Sequence, residues 1–100
     1  MIVDAIHSTA LFGDCAEVET FPAQASALQL TDKDVTRTGT IIVNDSNSVV
    51  WIKYGAGITS TNYSFKLRRD DILIIDDFRG EIYALFQTVN GQLIVTNYFR

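Results

Sequence analysis

The side chains able to do chemistry are few, and their spacing does not suit it. His7 is the only histidine and Cys15 the only cysteine in the 100 residues. A zinc site on His7 would need partners at short fixed spacings, and Cys15, Asp4, Asp14 and Glu17 match none of the usual patterns. His7 therefore reads as a surface or edge imidazole. Ser8 follows it, but a nucleophile and its base meet through the fold, and no third group is evident to orient this pair. Cys15 reads as a small buried apolar side chain rather than a reactive thiolate.

Two acidic pairs remain, Asp70-Asp71 and Asp76-Asp77, one at each end of the run "ILII". A strand of that length holds its ends about 13 Å apart. Two carboxylates cooperate as acid and base over roughly 5–9.5 Å, and sharing a calcium ion needs them closer still. One pair alone could join loop carbonyls around calcium. The simpler reading makes both pairs turn formers and charged gatekeepers beside a sticky strand. The "GAG" of residues 55–57 has no Lys-Ser or Lys-Thr after it, so it is no phosphate cradle. Its glycines supply the positive φ that a β loop needs. We expect no enzyme, no cofactor and no metal.

The elements that would carry any site are strands. "VVWIKY" puts Val50, Ile52 and Tyr54 on one face and Val49, Trp51 and Lys53 on the other. The first set reads as core, which leaves Trp51 outside or under a covering loop. "YSFKL" sends Tyr63, Phe65 and Leu67 one way, and "EIYALFQTV" sends Ile82, Ala84 and Phe86 inward with Tyr83 and Leu85 opposite. That second face is too apolar for bulk water. "ALQLT" (27–31) and "TGTIIVN" (38–44) read as two earlier strands, with "NDSNS", "GAGITST", "RRDD" and "DDFRG" as turns and loops between strands. Asn90-Gly91 suits a type I′ turn, which predicts a hairpin of "EIYALFQTV" with "QLIVTNYF". The spacing predicts an all-β chain: an antiparallel sandwich or small barrel of about six to eight strands, jelly-roll-like. The first twenty residues are less regular. "STALFGDCAEV" could be a helical turn or an irregular segment, and Leu11, Phe12 and Val18 are too apolar for a free tail. Residues 1–15 are expected to close the sandwich edge or reach onto a neighbouring subunit, with residues 16–100 as one domain.

Bulk properties exclude several classes. A formal net charge of −4, with basic residues scattered apart from Arg68-Arg69, removes the electrostatic drive for nucleic acid. No apolar run approaches the length of a membrane span. With one cysteine there is no intrachain disulfide, and no basic residue precedes the apolar N-terminal run as in a secretory signal. The expectation is a soluble protein made in a cytoplasm, with neither nucleic acid nor membrane as partner.

A resemblance runs through "TRTGTIIVNDSNSVVWIKYGAGITSTNYSFKLRRDDILIIDDFRGEIYALF". The pattern R-x-G/T-x-x-I-x-N-D/N-S falls on Arg37 to Ser46, L-Y/W-V/I-K-Y/F-G on Trp51 to Gly55, and A-S/T-x-T-x-Y/F-S/T on Thr59 to Ser64. Y/F-x-G falls on Phe78 to Gly80, and a last strand ending V-T on Leu93 to Thr96. In the order of these blocks the chain resembles small β-sandwich virion proteins of tailed bacteriophages, found as head decoration or cement proteins and as modules of other phage structural proteins. The likeness covers about residues 16–97. It departs at "RRDD", where a P-G or A-G turn is usual, and at "ILIIDD", where the usual strand is Y-x-E-V/I-P.

The resemblance implies a capsid decoration or cement subunit on the virion surface, made in the host cytoplasm. It would bind the major capsid protein and often form a homotrimer. The residues expected at a subunit or capsid contact are Trp51, Tyr83, Leu85, Tyr98, Phe99, Leu11 and Phe12. The alternative for Trp51 and Tyr83 is packing under the N-terminal segment. A second function class is a receptor- or glycan-binding module of a tail or fibre, using the "GAGITSTN" loop with Tyr54 or Tyr63. A cupin-like metalloenzyme would need several inward histidines, and the chain has one.

Overall fold

Side chains that alternate in polarity make strands wherever one face can be buried. A computed structural model of the chain describes residues 15–76 and 78–100. They form β1 (Cys15–Pro22), β2 (Leu28–Thr31), β3 (Arg37–Asp45), β4 (Val50–Tyr54), β5 (Phe65–Leu67), β6 (Ile72–Asp76), β7 (Ile82–Phe86) and β8 (Gln92–Phe99). Two antiparallel sheets result, sheet A in the order β1-β8-β3-β6 and sheet B in the order β2-β7-β4-β5. Every connection crosses between sheets except β4–β5, a hairpin within sheet B. Eight strands wound this way are a jelly roll. The fold is the all-β sandwich that the spacing predicts.

Between the sheets, Ile42, Ile75, Leu93 and Val95 of sheet A meet Val50, Ile52, Ile82, Ala84 and Phe86 of sheet B, all buried. The alternation read from "VVWIKY" and "EIYALF" holds, with Trp51, Tyr83 and Leu85 outside. Tyr63 differs. It precedes β5, is 40% exposed, and sets its ring 6.3 Å from that of Trp51. The cause is Ser64: its hydroxyl accepts the Tyr54 N–H (3.2 Å) where a backbone carbonyl would continue the ladder. The two-residue repeat therefore breaks there, and Tyr63 joins the outer face.

The stretch from Cys15 also differs from its irregular reading. It is an eight-residue edge strand, paired with β8 from Cys15↔Phe99 to Pro22↔Gln92. Cys15 is exposed on it, not buried. From Cys15 onward, this part of the chain closes the edge of sheet A.

The Asn90-Gly91 hairpin is not formed. β7 pairs with β2 and β4, while β8 pairs with β1 and β3, so the turn joins opposite sheets. Only Gly91 takes a positive φ (+70°), whereas a type I′ turn needs two such residues. The Asn90 side chain instead accepts the N–H of Asn47 (2.9 Å), fastening the crossing to the β3–β4 turn. The backbone there is tight: a Cβ on Gly91 would lie 2.6 Å from the Asp45 carbonyl oxygen. Gly57 has a φ of +87° but open space around it. Gly57→Ala is therefore expected to cost about 1 kcal/mol for the left-handed backbone alone. Gly91→Ala, with the clash added, is expected to cost about 3 kcal/mol. Urea midpoints of the two variants measure the difference.

Candidate functional site

The residues expected at a contact separate into two groups. Trp51, Tyr83 and Leu85 come together on the outer face of sheet B, where Trp51 pairs across with Leu85 and Lys66, and Tyr83 with Lys53 and Gln29. Tyr98 and Phe99 lie on β8 in the other sheet. Tyr98 sits on its outer face beside Ala16 and Gly39, while Phe99 has the parity of the buried Leu93 and Val95 and lines the groove between the sheets. Leu11 and Phe12 lie outside the described residues, as do His7, Ser8, Asp4, Asp14 and Asp77.

The sheet B face is amphipathic. Trp51, Tyr63, Tyr83 and Leu85 form its apolar part, and Lys53, Lys66 and Gln29 interrupt it. Its aromatic pair is tilted by 45° beside the polar loop of residues 55–64. In that loop Gly55 and Gly57 take the positive φ expected of them, and Asn62 donates to the Gly57 carbonyl (3.0 Å).

The outer face of sheet A is apolar over a wider area, and sequence reasoning missed it. The strand registers set Thr20, Ile94, Val43 and Ile72 in one row and Val18, Thr96, Ile41 and Ile74 in the next. No charged residue stands in either row. Val18 is 67% exposed and the others are partly or fully exposed. Charge appears only at the margins, with Asp76 beyond one row and Asp45 beyond the other. The signal was present in "TIIV" and "ILII", where apolar residues run on both faces and alternation does not separate core from surface.

Both ends of β3 are pinned by buried polar side chains. Arg37, 2% exposed, donates to the carbonyls of Asp32 (2.7 Å), Phe78 (3.3 Å) and Gly80 (2.5 Å), tying the β2–β3 and β6–β7 loops to its own strand. Burial pulls the guanidinium below its ordinary pKa, and Asp34 and Asp32 oppose that shift. Asp34 itself is held below the usual carboxylate range by the hydroxyl of Thr36 (2.7 Å) and then by its N–H (2.8 Å). At the far end Asn44, fully buried, donates to the carbonyls of Ser48, Leu67 and Arg68, and accepts from the Ser46 hydroxyl. Arg37, Asn44 and Ser46 thus tie the two ends of β3 to the neighbouring loops and to β5 of the other sheet.

Asp70 and Asp71 act as turn formers. Asp70 takes a φ of +63°, and Asp71 accepts the Arg68 N–H (2.8 Å), which holds its carboxyl low. Among the described residues no three His, Cys, Asp or Glu side chains converge to hold a metal ion. What the described geometry offers is surface: one amphipathic face, one uncharged face and a free strand edge. Compared with known proteins, the chain matches no family, no curated protein and no solved structure.

Proposed function

We propose that the protein is a structural virion subunit, a decoration or cement protein that lies on the assembled head of a tailed bacteriophage and stabilises it by contacts with the major capsid protein. The observation that carries this reading is the uncharged outer face of sheet A. Four strands about 4.8 Å apart, with two rows some 6.8 Å apart, give the uncharged rows roughly 260 Å². An uncharged patch of a few hundred Å² is on the scale of the largest patch a monomer carries, and such patches often serve contacts. At about 25 cal/mol per Å² its burial contributes roughly 6–7 kcal/mol before association costs of about 4–15 kcal/mol. One subunit alone thus binds marginally, and subunits linked in a trimer bind firmly because later contacts become intramolecular. The order of turn-rich blocks from Arg37 to Thr96 directs the proposal to phage heads.

Purified protein mixed with empty or expanded heads is expected to sediment with them in many copies per particle, counted by quantitative mass spectrometry. Protein that stays in the supernatant, or follows tails after particles are split, would overturn the assignment. The Trp51–Tyr63 pair beside the polar loop favours a second reading, a glycan-binding module, because sugar rings stack on aromatic faces. That reading predicts binding to host cells that free surface sugars compete away.

A further inference from the structure

We propose that the edge of β1, which no strand among the described residues covers, is a docking site for an extended segment of another protein that alternates basic and apolar residues. The site is independent of the sheet faces and of which particle carries the protein. β1 is an eight-residue edge strand whose side chains from Cys15 to Thr20 are all exposed. The other edges are β2, four residues with a bulge, β5, three residues, and β6, five residues. Short or bulged edges resist added strands, whereas a long regular one is a template.

The ladder identifies which groups are available. Ala23 donates to the Gly91 carbonyl (3.0 Å), so by alternation Phe21, Glu19 and Glu17 bond β8. The N–H and C=O groups of Ala16, Val18 and Thr20 therefore point to the open side. Pro22, lacking an N–H, ends the row.

Charge selects the occupant. Glu17 and Glu19 face the groove between β1 and β2, which Asp32, Asp34, Arg37 and Phe99 also line. Four carboxylates there face one guanidinium. Arg37, which lines this groove, is itself buried at 2% exposure, so the carboxylates at the groove's mouth keep most of their negative field. The carboxylates do not converge on a metal-holding cluster, so their charge suits cations spaced along a strand.

A second copy of this chain fits badly. In a two-fold antiparallel pairing of β1 with itself, a centre on Val18 sets Glu17 against Glu19, and a shift of one residue along the pair sets Glu17 or Glu19 against itself. Like charges directly opposite are destabilising, so the edge is guarded against its own kind. An incoming strand instead puts Lys or Arg beside Glu17 and Glu19, and its alternate Val or Ile side chains extend the apolar outer face next to Val18 and Thr20.

The test uses the full chain and three nine-residue peptides: alternating Lys and Val, alternating Glu and Val, and the Lys-Val composition rearranged as a Lys block and a Val block. The alternating Lys-Val peptide is expected to bind at least tenfold more tightly than either control and to slow amide exchange at Ala16, Val18 and Thr20. Val18→Pro removes an N–H that faces the open edge and leaves the β8 bonds and the charge intact, and it is expected to weaken binding at least tenfold. Glu17→Lys with Glu19→Lys is expected to reverse the preference toward the Glu-Val peptide. Equal binding of the two Lys peptides, unchanged binding by Val18→Pro, protection elsewhere on the protein, or no binding at millimolar peptide would each overturn the proposal.

Discussion

Arg37→Met is expected to destabilise the protein by about 4 kcal/mol, a large share of the roughly 5–15 kcal/mol available to a domain of this kind. Two effects oppose each other at this position. A guanidinium that is 2% exposed is costly to bury, and its depressed pKa records that cost. Methionine would remove the cost and keep most of the stem's packing. It would also leave the carbonyls of Asp32, Phe78 and Gly80 without their shared donor. Apolar replacement of a buried polar group is neutral only when its partners go too, and backbone carbonyls cannot go. The loss of bonds therefore wins. Arg37→Lys keeps the charge but not the fork that reaches two loops at once, so it is expected to recover less than half of the loss. Urea unfolding of the three proteins measures this, and a methionine variant within about 1 kcal/mol of the parent would show that these bonds do not hold the loops.

Much of the fold was legible because its signals are local. Val50, Ile52, Ile82, Ala84 and Phe86 alternate cleanly with partly exposed neighbours, and each lies where alternation places it. Pairing between strands is not local. Asn90-Gly91 carries a strong hairpin signal, yet the tertiary pairing of β7 and β8 with other strands overrides it. β1 escaped because its two faces are polar-acidic and small or β-branched, not polar and strongly apolar: Glu17 and Glu19 against Ala16, Val18 and Thr20. The period of two was there, weak in amplitude. Tyr63 was misplaced by a single side-chain hydrogen bond from Ser64, which no periodicity reports.

The candidate surfaces were legible only in part, for a related reason. Trp51, Tyr83 and Leu85 stood out because each is a large apolar side chain on the face opposite the alternating core residues. Ile41, Val43, Ile72 and Ile74 did not, because in a strand with two apolar faces hydrophobicity cannot tell core from contact. Register can. Once β3 is fixed between β6 and β8, Ile42 goes inside at 0% exposure and Ile41 and Val43 go outside. The same register explains why the stretch from Arg37 to Ser46 mixes roles: Arg37 and Asn44 pin the ends of β3, Ile42 enters the core, and Ile41 and Val43 build the outer face.

That face supplies the second large effect. Val43→Glu combined with Ile74→Lys is expected to weaken binding to heads by at least about 100-fold, which corresponds to roughly 3 kcal/mol. The two positions lie diagonally across β3 and β6, since Val43 pairs with Ile72 and Ile41 with Ile74. Opposite charges there can attract within the free subunit and leave the net charge unchanged. Both side chains are already partly exposed, so the fold is expected to lose no more than about 1.5 kcal/mol. In a complex the two charges would be stripped of water against an apolar partner, and about 1.5–3 kcal/mol of apolar burial would be lost at each site. Trp51→Ser is the matching change on sheet B, where Lys53 and Lys66 already admit water beside the ring, and it is expected to alter head binding less than fivefold. Co-sedimentation at graded subunit concentration, with urea unfolding of each variant, separates binding from folding. If Trp51→Ser abolishes binding and the sheet A pair does not, the contact belongs to the aromatic face, and the apolar rows of sheet A need another occupant.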